Sequence, residues 1–177
     1  MALSRPNITS PPFLEPGEND ISVKVLRYSD GAFLENHDMW RLSGIFRRVN
    51  LIARSRVHIH DYYVATEFDN EYRDADMYVE VDLQNLTDAN QRGYSVGIKL
   101  LDAQQRLVPG STMKQSAGNL EQGILTPLKF MVPVKNPLHW SAEKPNLYTL
   151  VLTLENKDGS IEEVMANRMG FRQTEIR

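Results

Sequence analysis

The chain has 177 residues, 41% of them hydrophobic and 24% charged, with a formal net charge of -3. Its 20 lysines and arginines are scattered among 23 acids, which leaves no basic footprint for nucleic acid or an anionic membrane surface. With no cysteine, disulfides, thiolate metal sites and cysteine nucleophiles are all excluded.

Met1 to Pro16 is proline-rich and predicts an extended or disordered lead with no apolar signal-peptide run. No stretch approaches the ~20 apolar residues that span a bilayer, so the expectation is a cytoplasmic chain. Gly17-Glu18-Asn19-Asp20 reads as a turn, and Ile21-Ser22-Val23-Lys24-Val25 alternates as a strand. Asp38 to Arg47 mixes a carboxylate, an indole, two guanidinium groups and a Ser-Gly turn signal, which suits a loop presenting polar groups. There Asp38 can be a ligand beside Trp40, or simply the partner of Arg41 or Arg47. Ile45 to Ala53 again alternates as a strand.

From Val57 the pattern becomes regular. Val57 to Thr66 predicts one strand. Asp76 to Gln84 predicts another, with Met77, Val79, Val81 and Leu83 on one face and polar residues on the other. Such period-2 alternation marks a sheet with one face in water. Tyr94 to Leu100 repeats it, and Ser111 to Ser116 reads as a polar edge strand. Leu128, Phe130 and Val132 form the next inward set, with Pro127 and Pro133 limiting the strand, as expected near an edge or a strand end. Tyr148 to Leu154 follows, then an Asp158-Gly159 hairpin signal and a strand from Ile161 to Phe171. No window holds helical periodicity. About seven short strands with regular turns predict an all-β, immunoglobulin-like β-sandwich over 57–177, its two apolar faces packed across a ~10 Å core.

Few residues offer chemistry. His58 and His60 are two apart on a strand and share a face if it is regular, with Asp61 on the other; without a third ligand, solvated histidines are the expectation rather than a metal site. His139 has no nucleophile or acid in evident reach, and Asp74, Asp76 and Glu162-Glu163 read as solvated surface acids. Trp140, in a proline-bounded loop with Tyr148, either stacks on a sugar ring or plugs the end of the sandwich; the plug is favoured because buried aromatics dominate core energetics. On side-chain chemistry alone no active site emerges.

Three longer motifs carry more. Val25-Leu26-Arg27-Tyr28-Ser29-Asp30-Gly31, Leu34-Glu35 and the stretch from Asp38 to Phe46 resemble the end of the sugar-binding domain of family 2 glycoside hydrolases, closest to the large bacterial β-galactosidases. Asn136-Pro137, Trp140-Ser141-Ala142-Glu143 and Pro145-Asn146-Leu147-Tyr148 are similar to late strands of the immunoglobulin-like domain that follows, and Gly170-Phe171-Arg172 to its exit. The resemblance implies that 1–56 is an incomplete remnant of the jelly-roll sugar-binding domain, loosely ordered up to about Gly44 or borrowing a neighbour's surface. It also implies that both catalytic glutamates of a retaining glycosidase lie in a barrel outside this chain. Catalytic residues here are therefore expected to be none. Asp38 is the one position it marks for substrate and metal, binding the galactosyl group and sodium in the assembled parent enzyme; magnesium is a further parent cofactor. The implied role is a scaffold fragment between the sugar-binding domain and the barrel, with a homo-oligomer and a β-galactoside as partners of the parent. The alternative is a freestanding carbohydrate-binding module.

Overall fold

The computed structural model describes residues 15–26, 44–45 and 48–174. The chain divides into two units, Met1–Leu51 and Ile52–Arg177. Among the described residues every regular element is a strand, and every strand pair is antiparallel.

In the first unit Asn19 closes a small loop. Its side chain accepts from the Glu15 N–H at 2.9 Å and donates to the Glu15 carbonyl at 2.8 Å. The strands expected over Ile21–Val25 and Ile45–Ala53 are not found among the described residues of those stretches. Their apolar side chains stand exposed instead, Ile21 at 65% and Leu51 at 77%. Alternation records which face a segment would bury; a strand forms only when a neighbouring backbone takes up its N–H and C=O groups. No described residue supplies that neighbour.

The second unit is the sandwich. One sheet has the order β1-β2-β7, from β1 (Val57–Phe68), β2 (Ala75–Asn85) and β7 (Leu125–Val134). The other runs β5-β4-β8-β9, from β4 (Ser95–Leu101), β5 (Met113–Ser116), β8 (Tyr148–Glu155) and β9 (Ile161–Met169). A short pair, β3 (Gln91–Arg92) and β6 (Asn119–Leu120), completes the set. Cross-strand register assembles the core in rows. Met77 faces Val132, Val79 faces Phe130 and Val81 faces Leu128 in one sheet. In the other, Val96 faces Leu154, Ile98 faces Leu152 and Leu100 faces Leu150. All twelve are buried, and burying one such side chain is worth about 1.5–3 kcal/mol. The polar strand around Ser111–Ser116 is indeed at an edge, and so is β7, whose Pro127 and Pro133 face Asp82 and Asp76 without needing a further partner.

Two local features depart from simple alternation. The β8–β9 connection is a turn closed by Gly159 N–H to Asn156 C=O at 3.0 Å, with Gly159 at a φ of 78°, where glycine costs nothing. In β1 a bulge falls at His60: Ile59 pairs with Leu83, but Asp61, not His60, pairs with Asp82. An extra residue inverts the phase of the strand. Val57 and Ile59 are buried before the bulge, whereas Tyr62 and Val64 pack on the core after it.

Candidate functional site

Asp38, the position marked for substrate and sodium, lies outside the described residues, as do Trp40 and Arg41. The described chemistry gathers at three places in the sandwich.

The first is the start of β1. His58 is buried, only 7% exposed, which corrects the expectation of a solvated histidine. Its Nδ1–H donates to the Ser55 carbonyl at 3.0 Å, and its ring centroid lies 6.3 Å from that of His60. Burial holds the His58 imidazolium off, pushing its pKa below the usual value, and the neighbouring Arg54 and His60 act in the same sense. The Ser55 bond and Glu163 oppose that shift. Asp61 also departs from expectation. Because His60 is the bulged residue, His58 and Asp61 sit opposite Gln84 and Asp82, which share one face. Even so, no group of three potential metal ligands occurs among the described residues.

The second is the seam between β1 and β9, the edge strands of the two sheets. It is closed by side chains rather than by a ladder. Glu163 accepts the Ile59 N–H at 2.8 Å, Asn167 donates to the Tyr62 hydroxyl at 2.7 Å, and Thr66 Oγ1 donates to the Arg172 carbonyl at 2.8 Å. Gln173 accepts the Phe68 N–H at 2.7 Å. Two open depressions lie along this seam, lined by Tyr63, Val64 and Met169 in common. Both are shallow, unlike the concave apolar sites that enclose small ligands.

The third is the crossing from β7 to β8. Asp74 anchors its start, accepting from Lys135 Nζ at 2.6 Å and the Asn136 N–H at 3.0 Å. Tyr148, at the head of β8, accepts the Leu138 N–H on its hydroxyl at 2.9 Å, the arrangement of a tyrosine corner. Here the expectation for Trp140 is corrected. The residue that fills the end of the core is Phe171, fully buried, edge-on to Tyr148 at 5.1 Å and to Phe68 at 6.5 Å. Trp140 is only half-buried. Its backbone N–H donates to the Phe171 carbonyl at 2.8 Å, and the Arg172 guanidinium lies 5.4 Å from its ring centroid. A Cβ on Gly170 would fall 2.6 Å from the Trp140 Cβ, so Trp140 lies directly over that glycine. The indole clamps the exit of β9, and a sugar would have to displace Arg172 to stack on that face. His139 rests against Phe68, ring centroids 4.3 Å apart, with no nucleophile beside it among its described contacts. Sequence reasoning missed Phe171 as the plug; the available signal was an aromatic residue immediately after a glycine at a strand end.

Comparison with known proteins places these features. Residues 57–172 match the family model for glycosyl hydrolases family 2, and residues 6–55 match that family's sugar binding domain. A β-galactosidase of Priestia megaterium is 40% identical over 171 residues, covering 97% of this chain and 16% of that protein. One from Alteromonas mediterranea is 37% identical over 170 residues, covering 93% of this chain and again 16% of the relative. The chain thus spans about a sixth of the curated relatives it matches. Among solved structures, a β-glucuronidase of Bacteroides uniformis shares the fold with a TM-score of 0.59 at 19% identity, over 67% of this chain and 15% of that one. A family 2 glycosyl hydrolase from Bacteroides cellulosilyticus does so with a TM-score of 0.59 at 20% identity, over 67% and 16%. Two adjoining family matches and an all-antiparallel, immunoglobulin-like sandwich in the second agree: the chain belongs to family 2 of the glycosyl hydrolases.

Proposed function

We propose that this chain is a non-catalytic portion of a β-galactosidase and acts there as a scaffold between the sugar-binding domain and a catalytic barrel. The parent would hydrolyse terminal β-D-galactosides with retention, through two carboxylates carried by the barrel. The observation that carries this reading is the alignment of nearly the whole chain, 97% and 93% of it, onto β-galactosidases of which it makes up only 16%. The architecture supports it in kind. Polar side chains Glu163, Asn167, Thr66 and Gln173 close the seam of the sandwich, and Trp140 is engaged by Gly170 and Arg172 rather than free as a stacking platform.

In the assembled parent, Asp38 contributes to the galactosyl and sodium sites. A carboxylate is a suitable hard oxygen donor for such a cation, but one carboxylate is a small part of a coordination shell. The other donors, and any magnesium site, then belong to the rest of the parent, as do subunit contacts.

Calorimetric titration of the isolated chain with lactose and with galactose tests the proposal. The expected result is no heat beyond dilution, with sodium present or absent. Saturable heat that Trp140→Ala abolishes would overturn the scaffold reading in favour of a freestanding carbohydrate-binding module.

A further inference from the structure

The two family matches meet at Ser55 and Val57, and the segment Arg54–Arg56 there lies within the second unit, Ile52–Arg177. That segment is fastened to the sandwich at several points. Arg54 Nη1 donates to the Ile59 carbonyl at 3.2 Å, Ser55 Oγ donates to Glu162 at 3.1 Å, and the Arg56 carbonyl accepts the Leu86 N–H at 2.7 Å. A further fastening is the His58 Nδ1–H to the Ser55 carbonyl. By its register with Gln84, His58 is on the solvent side of the sheet, yet its ring is buried against this segment.

We propose that His58 is a proton-sensitive catch for the start of the second unit: neutral, it holds segment 54–56 against β1, and on protonation it lets that segment come away. A charged ring in the closed arrangement would be deprived of water and would face Arg54 and the second imidazole of His60. The bond to Ser55 and the Glu163 carboxylate favour the charged ring but do not reverse the effect of burial, and Glu163 is already engaged by the Ile59 N–H. The other charged groups nearby are committed or lie further out. Glu162 accepts from Ser55, Arg56 pairs with Asp88 at 3.4 Å, and Asp61 and Asp82 lie across from each other on the sheet face. In the open arrangement the ring is in water and protonates at the ordinary histidine value. Protons therefore bind the open form more tightly and shift the population toward it.

The sign follows from the lowered pKa of the closed form. The contribution of neutral His58 is fully present above pH 6.5 and is lost as pH falls toward the closed-form value. Within that window the opening constant rises as pH falls, by at most about tenfold per pH unit, because up to one proton is taken up on opening.

Amide exchange by NMR on the whole chain reads this directly. The Leu86 amide, bonded to Arg56, reports the catch, and the Val81 amide in the buried centre of β2 reports global unfolding. After correction for intrinsic exchange, Leu86 should be less protected than Val81, because the segment opens without global unfolding. Its protection should fall as pH drops below 6.5, by no more than about tenfold per pH unit; Val81 shares that fall, because unfolding frees the same ring. His58→Asn retains a donor for the Ser55 carbonyl but cannot titrate, and should give a flat Leu86 profile. A flat wild-type profile, an equal decline in His58→Asn, or a His58 ring that titrates at or above 6.5 would overturn the proposal. If the variant does not fold, the wild-type ring titration decides, together with the level of protection: a Leu86 amide as protected as Val81 would mean that the segment opens only with the whole domain and would overturn the proposal.

Discussion

Replacing Phe171 by alanine distinguishes the plug of the sandwich from the clamp outside it. Phe171 is fully buried between Tyr148 and Phe68, from strands of opposite sheets. Truncating a phenylalanine in such a site removes its transfer free energy and leaves a cavity, together costing about 3–5 kcal/mol. The two edge-on ring contacts lie within that figure, at about 0.5–1.5 kcal/mol each. Against a total stability of about 5–15 kcal/mol for a domain, the loss is severe. Trp140 is larger but half-buried and clamps only the β9 exit, so Trp140→Ala should cost about 2 kcal/mol. Urea denaturation followed by far-UV circular dichroism measures both. With a slope of about 1–3 kcal/mol/M, the Phe171→Ala midpoint should fall by about 1–5 M, and the Trp140→Ala midpoint by clearly less. If Trp140→Ala cost as much as Phe171→Ala or more, the indole would be the plug and the burial argument would be wrong.

Two further outcomes follow from geometry. Gly170→Ala would place a methyl 2.6–2.8 Å from the Cβ, Cγ and Cδ1 atoms of Trp140, a side chain whose backbone is tied to Phe171, and should cost about 1–3 kcal/mol in thermal melts; an unchanged melt would show that the indole moves aside freely. Lys135, bonded to the Asp74 carboxylate, holds it below the usual 3.8, with the Asn136 N–H adding to the effect. Its stabilisation is therefore present above about pH 3.8 and is lost as pH falls below it. Asp74→Asn should lower stability at neutral pH and flatten that acid limb; parallel acid limbs for the two proteins would refute the assignment.

Much of the sandwich was legible in the chain because a sheet with one wet face writes its geometry into the residue order. The alternation Met77-Val79-Val81-Leu83 named the buried face of β2, and prolines 127 and 133 pointed to an edge or a strand end, of which β7 takes the edge. These depend only on the period of a strand and on the missing N–H of proline, so local chemistry suffices. Motif order likewise pointed to the family.

Other features are settled only by distant contacts. The bulge at His60 leaves no local mark, yet it inverts the inward phase of β1 and brings Asp61 to the side of His58. His58 looks solvated from its neighbours in sequence; it is buried because residues 54–56 return over it and β9 supplies Glu163 more than a hundred positions later. Phe171 outranks Trp140 as the plug because the chain passes between Tyr148 and Phe68 after Gly170, which no periodicity encodes. The alternating segment Ile21–Val25 shows the converse, a strand pattern without a strand among the described residues. Sequence by itself determines which face of a segment would be buried; tertiary structure decides whether a partner arrives to bury it, because pairing and packing free energies belong to contacts between elements and not to either element alone.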